Sequence, residues 1–295
     1  MLCRAAVALV LLAGLTAGTA WIAASLVMKR ADLGLLEDLR PAHGIEDEAF
    51  RSPDGVPLRG WWWPGKDRRR AVLLLHGFRA NRLQMFPRAK WLHQVGYSVF
   101  LFDFRGSGAS GGRSTLGFSE RLDVEAALDL LWKKKAIREV AIIAQSMGAA
   151  AAVMAVDRWQ GVRGADLEHL YDRLDSAVRG RVRDRAGGLL EPILSPLVLW
   201  QVRPRMGFSP EQLAPVEKIG RARCPILLGF GGQDETLSPA AVRELFQKAP
   251  YPTTLWVIQS AGHTDLFRCN PEFYRKKVGD FLQQTLGSPA EESKE

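Results

Sequence analysis

Val140-Ala141-Ile142-Ile143-Ala144-Gln145-Ser146-Met147-Gly148-Ala149-Ala150-Ala151-Ala152 is the stretch whose reading decides the fold. Its opening residues are apolar without polar alternation, the pattern of a strand covered on both faces. The alanines that follow suit a helix lying close against a sheet. Between the two stands one serine, with Ala144 two residues before it and Gly148 two residues after it. A side chain on such a tight strand-to-helix turn needs small flanking residues, because the turn is crowded and strained.

The same rhythm extends outward. Apolar runs at 71–75, 97–102, 225–228 and 254–258 read as further buried strands, and 162–167 as a poor one. Helical stretches fall near 81–95, 119–135, 148–158, 239–248 and 271–286. Strand alternating with helix predicts a doubly wound α/β sheet. Ahead of it, segments 46–52 and 57–63 flank Pro53-Asp54-Gly55, a turn signal, and predict an opening antiparallel hairpin. The interval from Asp157 to Cys224 breaks the rhythm with an Arg-rich stretch and an apolar, Pro-interrupted one. It reads as a helical cap over the carboxyl end of the sheet, or as an extra packing layer. The expected organisation is an N-terminal segment 1–30, a connector 31–44, an α/β domain 45–287 with its cap at about 166–215, and a polar tail 288–295.

Ligands of open α/β sheets bind beyond the carboxyl ends of the strands, and the chemically suggestive residues sit there. Ser146 follows one strand, Asp234 the next-to-last and His263 the last. A hydroxyl becomes nucleophilic when a histidine takes its proton and an acid holds that histidine in the right tautomer. Serine, then acid, then histidine along the chain is the order such a triad takes on this kind of sheet. Backbone N–H donors for a developing oxyanion are expected from Met147 and from Phe78, in the loop His76-Gly77-Phe78-Arg79. His76 reads as a buttress of that loop. His43, His93 and His169 read as surface or packing histidines, Asp157 and Asp166 as poorer acids, and Asp265 as too close in sequence to His263 to orient it. Asp103-Phe104-Arg105-Gly106-Ser107-Gly108 lacks dinucleotide or P-loop spacing and reads as a turn stapled by Asp103 and Arg105.

His76-Gly77-Phe78, Asp103 to Gly108, Ala144 to Gly148, Gly232-Gln233-Asp234 and Gly262-His263 together resemble the α/β-hydrolase superfamily, within it the group of bem46-like proteins, monoglyceride lipases and serine aminopeptidases. The resemblance runs over about 46–286. It implies an α/β-hydrolase fold with a mostly parallel eight-stranded sheet, and cofactor-free acyl transfer with Ser146 as nucleophile, His263 as base and then acid, Asp234 as its orienter, and Phe78 and Met147 as oxyanion donors. Ala144 departs from the commoner glycine, and Asp166 from an apolar strand residue, which puts the regularity of that strand in question. The expected activity is hydrolysis of a carboxylic ester or related acyl bond, on a small-molecule substrate of possible lipid type. A peptidase using the same triad is the enzymatic rival. A catalytically silent, membrane-tethered binding protein is the rival of another class.

Bulk properties set the remaining bounds. The chain has 295 residues, 47% of them hydrophobic and 24% charged, as expected for a folded domain. A formal charge of +8 permits an acidic partner, yet no nucleic-acid motif accompanies it and no nucleic acid is expected. Cys3, Cys224 and Cys269 are odd in number and widely spaced, so neither a metal cluster nor a disulfide framework is expected. Residues 5–28 are uncharged and apolar. As a helix they would reach about 36 Å, enough to cross a bilayer core of about 30 Å. A membrane anchor is expected, with the enzyme on the non-cytoplasmic side. The alternative is a signal cleaved after Gly18-Thr19-Ala20, giving a secreted or periplasmic protein.

Overall fold

The computed structural model describes residues 44–289, together with Gly18 and Trp21. Its centre is one eight-stranded sheet in the order β1-β2-β4-β3-β5-β6-β7-β8. The strands are β1 (Glu46–Arg51), β2 (Pro57–Trp63), β3 (Arg70–Leu75), β4 (Ser98–Asp103), β5 (Glu139–Gln145), β6 (Val162–Glu168), β7 (Ile226–Gly231) and β8 (Thr253–Ile258). Only β2 runs antiparallel to its neighbours, pairing with β1 in the opening hairpin and with β4 beyond it. From β4 through β8 every pairing is parallel. This is the α/β-hydrolase fold.

The unbroken apolar runs are explained by two cores, one on each face. Along β3, Ala71, Leu73 and Leu75 enter one core while Val72 and Leu74 enter the other. Along β5, Val140, Ile142 and Ala144 alternate with Ala141 and Ile143 in the same way. A side-chain period of two with both faces covered leaves no position for a polar residue unless something neutralises it.

Helices α1 (Phe86–Gln94), α2 (Glu120–Asp129), α3 (Met147–Met154), α7 (Pro239–Lys248), α8 (Leu266–Cys269) and α9 (Pro271–Thr285) accompany the strands. Between β6 and β7 lie α4 (Leu174–Ala186), α5 (Glu191–Trp200) and α6 (Val202–Met206). The helix expected over 119–135 is α2 followed by a wider π turn, Leu130–Lys134.

Four expectations need correction. The stretch 162–167 is a full inner strand, in register with β5 and with β7 over Ala165 to Glu168. The start expected for the cap, at 166, therefore falls inside the sheet. Asp166 does not distort the strand, whose one register shift lies opposite Val140 and Ala141. Burial and the neighbouring Glu168 carboxylate push its carboxyl well above the usual range, so the strand carries an uncharged acid there. The membrane placement is also overturned. No helix among the described residues is long and apolar enough to cross a membrane. The longest of them, α9, has 15 residues, about 22 Å at 1.5 Å per residue against a core of about 30 Å. The segment 5–28 itself lies outside the described residues, Gly18 and Trp21 apart.

Candidate active site

Ser146 stands between β5 and α3 with φ 52° and ψ −115°. A non-glycine residue at such angles costs on the order of 1–3 kcal/mol and persists only where its surroundings over-determine it. They do so here. The Ser146 N–H donates to Glu168 O at 2.8 Å, and its carbonyl accepts the N–H of Ala150 at 3.0 Å. Gly148 allows the helix to start against β3, because a Cβ there would lie 2.6 Å from His76 O and 2.8 Å from Leu75 O. Ala144 is fully buried and takes its place in the core, so the methyl group that departs from the commoner pattern fits without opening the turn.

Asp234 lies in the turn after β7 and His263 in the loop after β8, and the structure brings both to Ser146. His263 Nε2 is 3.2 Å from Ser146 Oγ. On the other side of the ring, His263 Nδ1 donates to Asp234 Oδ2 at 2.8 Å. Thr236 donates to Asp234 Oδ1 through its backbone N–H at 3.0 Å and its hydroxyl at 2.5 Å. With Nδ1 committed as donor, the neutral ring leaves Nε2 as an acceptor facing the serine. Burial alone would raise the Asp234 carboxyl, yet hydrogen bonds from His169, His263 and Thr236 hold it far below the usual carboxylate range. Burial lowers His263, against the hydrogen bond it donates to Asp234, and the neighbouring His169 and Arg181 lower it further. A neutral imidazole beside an ionised carboxylate is a base ready to accept a proton.

Phe78 and Met147 lie on the two segments that flank the serine. Met147 opens α3, where the first N–H groups have no partner within the helix. Phe78 is half-buried in the loop after β3, and at its neighbour Gly77 an added Cβ would stand 3.7 Å from Ser146 Cβ. His76 is fully buried as a buttress, with Nδ1 2.8 Å from Gly77 O and Nε2 accepting the Phe104 N–H at 3.0 Å. Asp103 and Arg105 staple their loop separately. Asp103 accepts the N–H groups of Arg82 and Ala109, while Arg105 binds Asp123, Asp54 and Ser52.

One residue at this site does not stand out in the sequence. His169, which reads there as a surface or packing histidine, is the residue directly after β6. It is fully buried, and its Nδ1 donates to the same Asp234 oxygen as His263, at 2.7 Å. The available signal was its position at a strand end, hidden because β6 did not look like a strand. Asp265, as expected, does not orient His263. It pairs with Arg88 at 2.8 Å, and Arg88 also binds Glu168 at 2.7 Å, so one buried guanidinium ties the end of β6 to the loop that carries His263.

Donor atoms of His169, Asp234 and His263 lie within 4.8 Å of one another, as a metal site would require. Their contacts of 2.7 and 2.8 Å are nevertheless those of hydrogen bonds. Two ligands about 2.1 Å from a tetrahedral ion stand about 3.4 Å apart, so the set is closed around protons. Cys224 and Cys269 are unpaired.

The helices between β6 and β7 reach this site directly. An added Cβ at Gly180, on α4, would stand 2.0 Å from Thr236 O, so the helix lies against the turn that carries Asp234 with no room for a side chain. The segment Leu116 to Phe118 runs close to the start of α3: an added Cβ at Gly117 would stand 3.5 Å from Met147 O, and Phe118 stacks on Phe208 at 4.2 Å.

Several known proteins are similar to this chain in sequence or fold. Residues 66–167 match the family model described as serine aminopeptidase, S33. The chain is 25% identical over 248 residues to the uncharacterized protein YqkD of Bacillus subtilis, covering 81% of this chain and 80% of that one. The esterase Pf2001 of Pyrococcus furiosus superposes with a TM-score of 0.72 at 24% identity, over 86% of this chain and 97% of that one. A shorter match, 34% over 91 residues, links 30% of this chain to 31% of the polyketide transferase grgF of a Penicillium species.

Proposed function

We propose that this chain of α/β-hydrolase fold is a serine hydrolase cleaving a carboxylic ester, with Ser146 as nucleophile, His263 as base and then acid, and Asp234 as the group that orients the ring. The observation that carries this reading is the line from Asp234 through His263 to Ser146, at 2.8 and 3.2 Å.

In the first step Ser146 Oγ bonds to the carbonyl carbon while its proton passes to His263 Nε2. Negative charge gathers on the carbonyl oxygen, where the N–H groups of Phe78 and Met147 receive it. The bond to the leaving alkoxide then breaks, and the imidazolium returns the proton to it. Water enters on the same side, gives a proton to Nε2 and attacks the acyl carbon, and release of the acid restores the hydroxyl.

Ester is preferred to peptide because the structural neighbour Pf2001 is an esterase. The apolar side chains of Leu116, Phe118 and Phe208, near the start of α3, suit an uncharged acyl chain, so the substrate class is a small ester with an apolar acyl part. The acyl-enzyme is common to hydrolysis and transfer, and the partial match to grgF supports transfer to an alcohol as a second reading. Analysis of products, free acid against a new ester, separates the two.

Ser146→Ala tests the assignment. Turnover of p-nitrophenyl esters is expected to fall by about 10⁶-fold, and labelling by a fluorophosphonate to vanish. Labelling that persists in this variant overturns the triad. Faster cleavage of aminoacyl anilides than of esters by the wild type favours the peptidase.

A further inference from the structure

His169 is held firmly for a residue in a loop. Its N–H donates to Gly229 O at 2.7 Å, its φ is 51°, and its ring meets Phe230 edge-on at 6.5 Å. The His263 ring lies 4.7 Å away at 50°. Asp234 Oδ2 thus receives two N–H groups, from His169 at 2.7 Å and His263 at 2.8 Å, while Oδ1 receives two donors from Thr236. An ionised carboxylate offers about four lone-pair sites, and all are taken. A carboxylate filled in this way cannot turn about its own axis without breaking a charge-assisted hydrogen bond.

We propose that His169 is a positioning residue, whose Nδ1–H locks the Asp234 carboxylate in the orientation that aims His263 at Ser146. The inference rests on the triad reading above and adds a fourth member to it. Without His169, Oδ2 would keep a single donor and a freer, more basic carboxylate. His263 would then hold its proton more strongly. The titratable and charged groups facing His263 are Asp234 from the turn after β7, His169 from the loop after β6 and Arg181 from α4. Of these, His169 and Arg181 push the imidazole towards its neutral form and Asp234 opposes them. Loss of His169 therefore moves the acid limb of kcat/KM to higher pH, because the active base is the neutral ring.

The experiment compares His169→Leu with His169→Asn, whose amide nitrogen stands close to the place of Nδ1 and keeps the donor. Hydrolysis of a p-nitrophenyl ester and the rate of fluorophosphonate labelling are followed against pH, with near-UV circular dichroism as the check on folding. Since a displacement of about 1 Å can cost about 100-fold, the leucine variant is expected to lose roughly 10- to 100-fold in kcat with little change in KM, and its acid limb to rise. The asparagine variant is expected to recover most of the rate and a limb close to that of the wild type. Should the leucine variant not fold, His169→Gln replaces it, as its amide lies one bond too far out to serve. A leucine variant with wild-type rate and limb overturns the proposal, as does equal loss in both variants with an unmoved limb, the mark of packing alone. Labelling that survives Ser146→Ala breaks the triad reading instead, and is told apart by that control.

Discussion

Two groups of buried acids stand at the ends of neighbouring strands and behave in opposite ways. Asp234, after β7, is surrounded by donors and held far below the usual carboxylate range despite its burial. Asp166, within β6, is buried more completely, its neighbour is Glu168, and the nearby cation, Arg88, is shared with Glu168 and Asp265. Its carboxyl is pushed well above that range. Burial opposes the charge of both acids, so the donors around Asp234, against the deeper burial and like-charged neighbour of Asp166, decide the difference. One acid is prepared for chemistry and the other for packing.

The largest test of this contrast is Asp234→Asn. It removes the ionised acceptor and allows the wrong tautomer of His263, so kcat should fall by about 10⁴-fold with the fold intact. A loss of tenfold or less, measured on a p-nitrophenyl ester, would mean that the charge of Asp234 is idle. Next comes Arg88→Met. It strands Glu168 and Asp265 without their cation in an interior where Arg88 and Glu168 have no exposure, and should destabilise the protein by about 3–5 kcal/mol in denaturant titration. The smallest effect is expected for Asp166→Asn, which replaces an uncharged acid by an uncharged amide, at about 1 kcal/mol or less near pH 5.

The pH dependence of that last variant sharpens the comparison. A carboxyl raised by folding binds its proton more tightly in the folded state, so Asp166 makes the protein less stable as pH climbs above about 4, the unfolded value. Asp166→Asn should flatten that fall. Asp234 has the opposite sign: its stabilisation is present above about 4 and is lost as pH drops towards its lowered folded value. Unfolding free energies measured from pH 3 to pH 8 read both slopes, and parallel curves for wild type and Asp166→Asn would refute the uncharged state of Asp166.

The parallel strands were legible because each is bounded by a turn and apolar on both faces, and Ser146, Asp234 and His263 stood out because each closes such a strand. β6 was nearly missed for the same physical reason reversed. Asp166 and Glu168 spoil its apolar pattern, and the groups that make them tolerable, Arg88 and Tyr274, lie 80 and 106 positions from Glu168 along the chain. No local window contains that compensation. Once β6 was doubted, His169 was no longer a strand-end residue, and its contact with Asp234, 65 positions away, had no sequence signal of its own.

The excursion that carries α4 to α6 leaves the sheet at Glu168 and returns at Ile226, so it runs from the carboxyl end of β6 to the amino end of the parallel strand beside it: Ala165 pairs with Ile226 and Glu168 with Gly229. A detour pinned at both ends to one sheet can lengthen or shorten at a closure cost that grows only with the logarithm of its size. Helices α4 to α6 can thus change in length while the sheet beneath stays put. His169, hydrogen-bonded to Gly229, is the first residue beyond the strand and marks where that freedom begins.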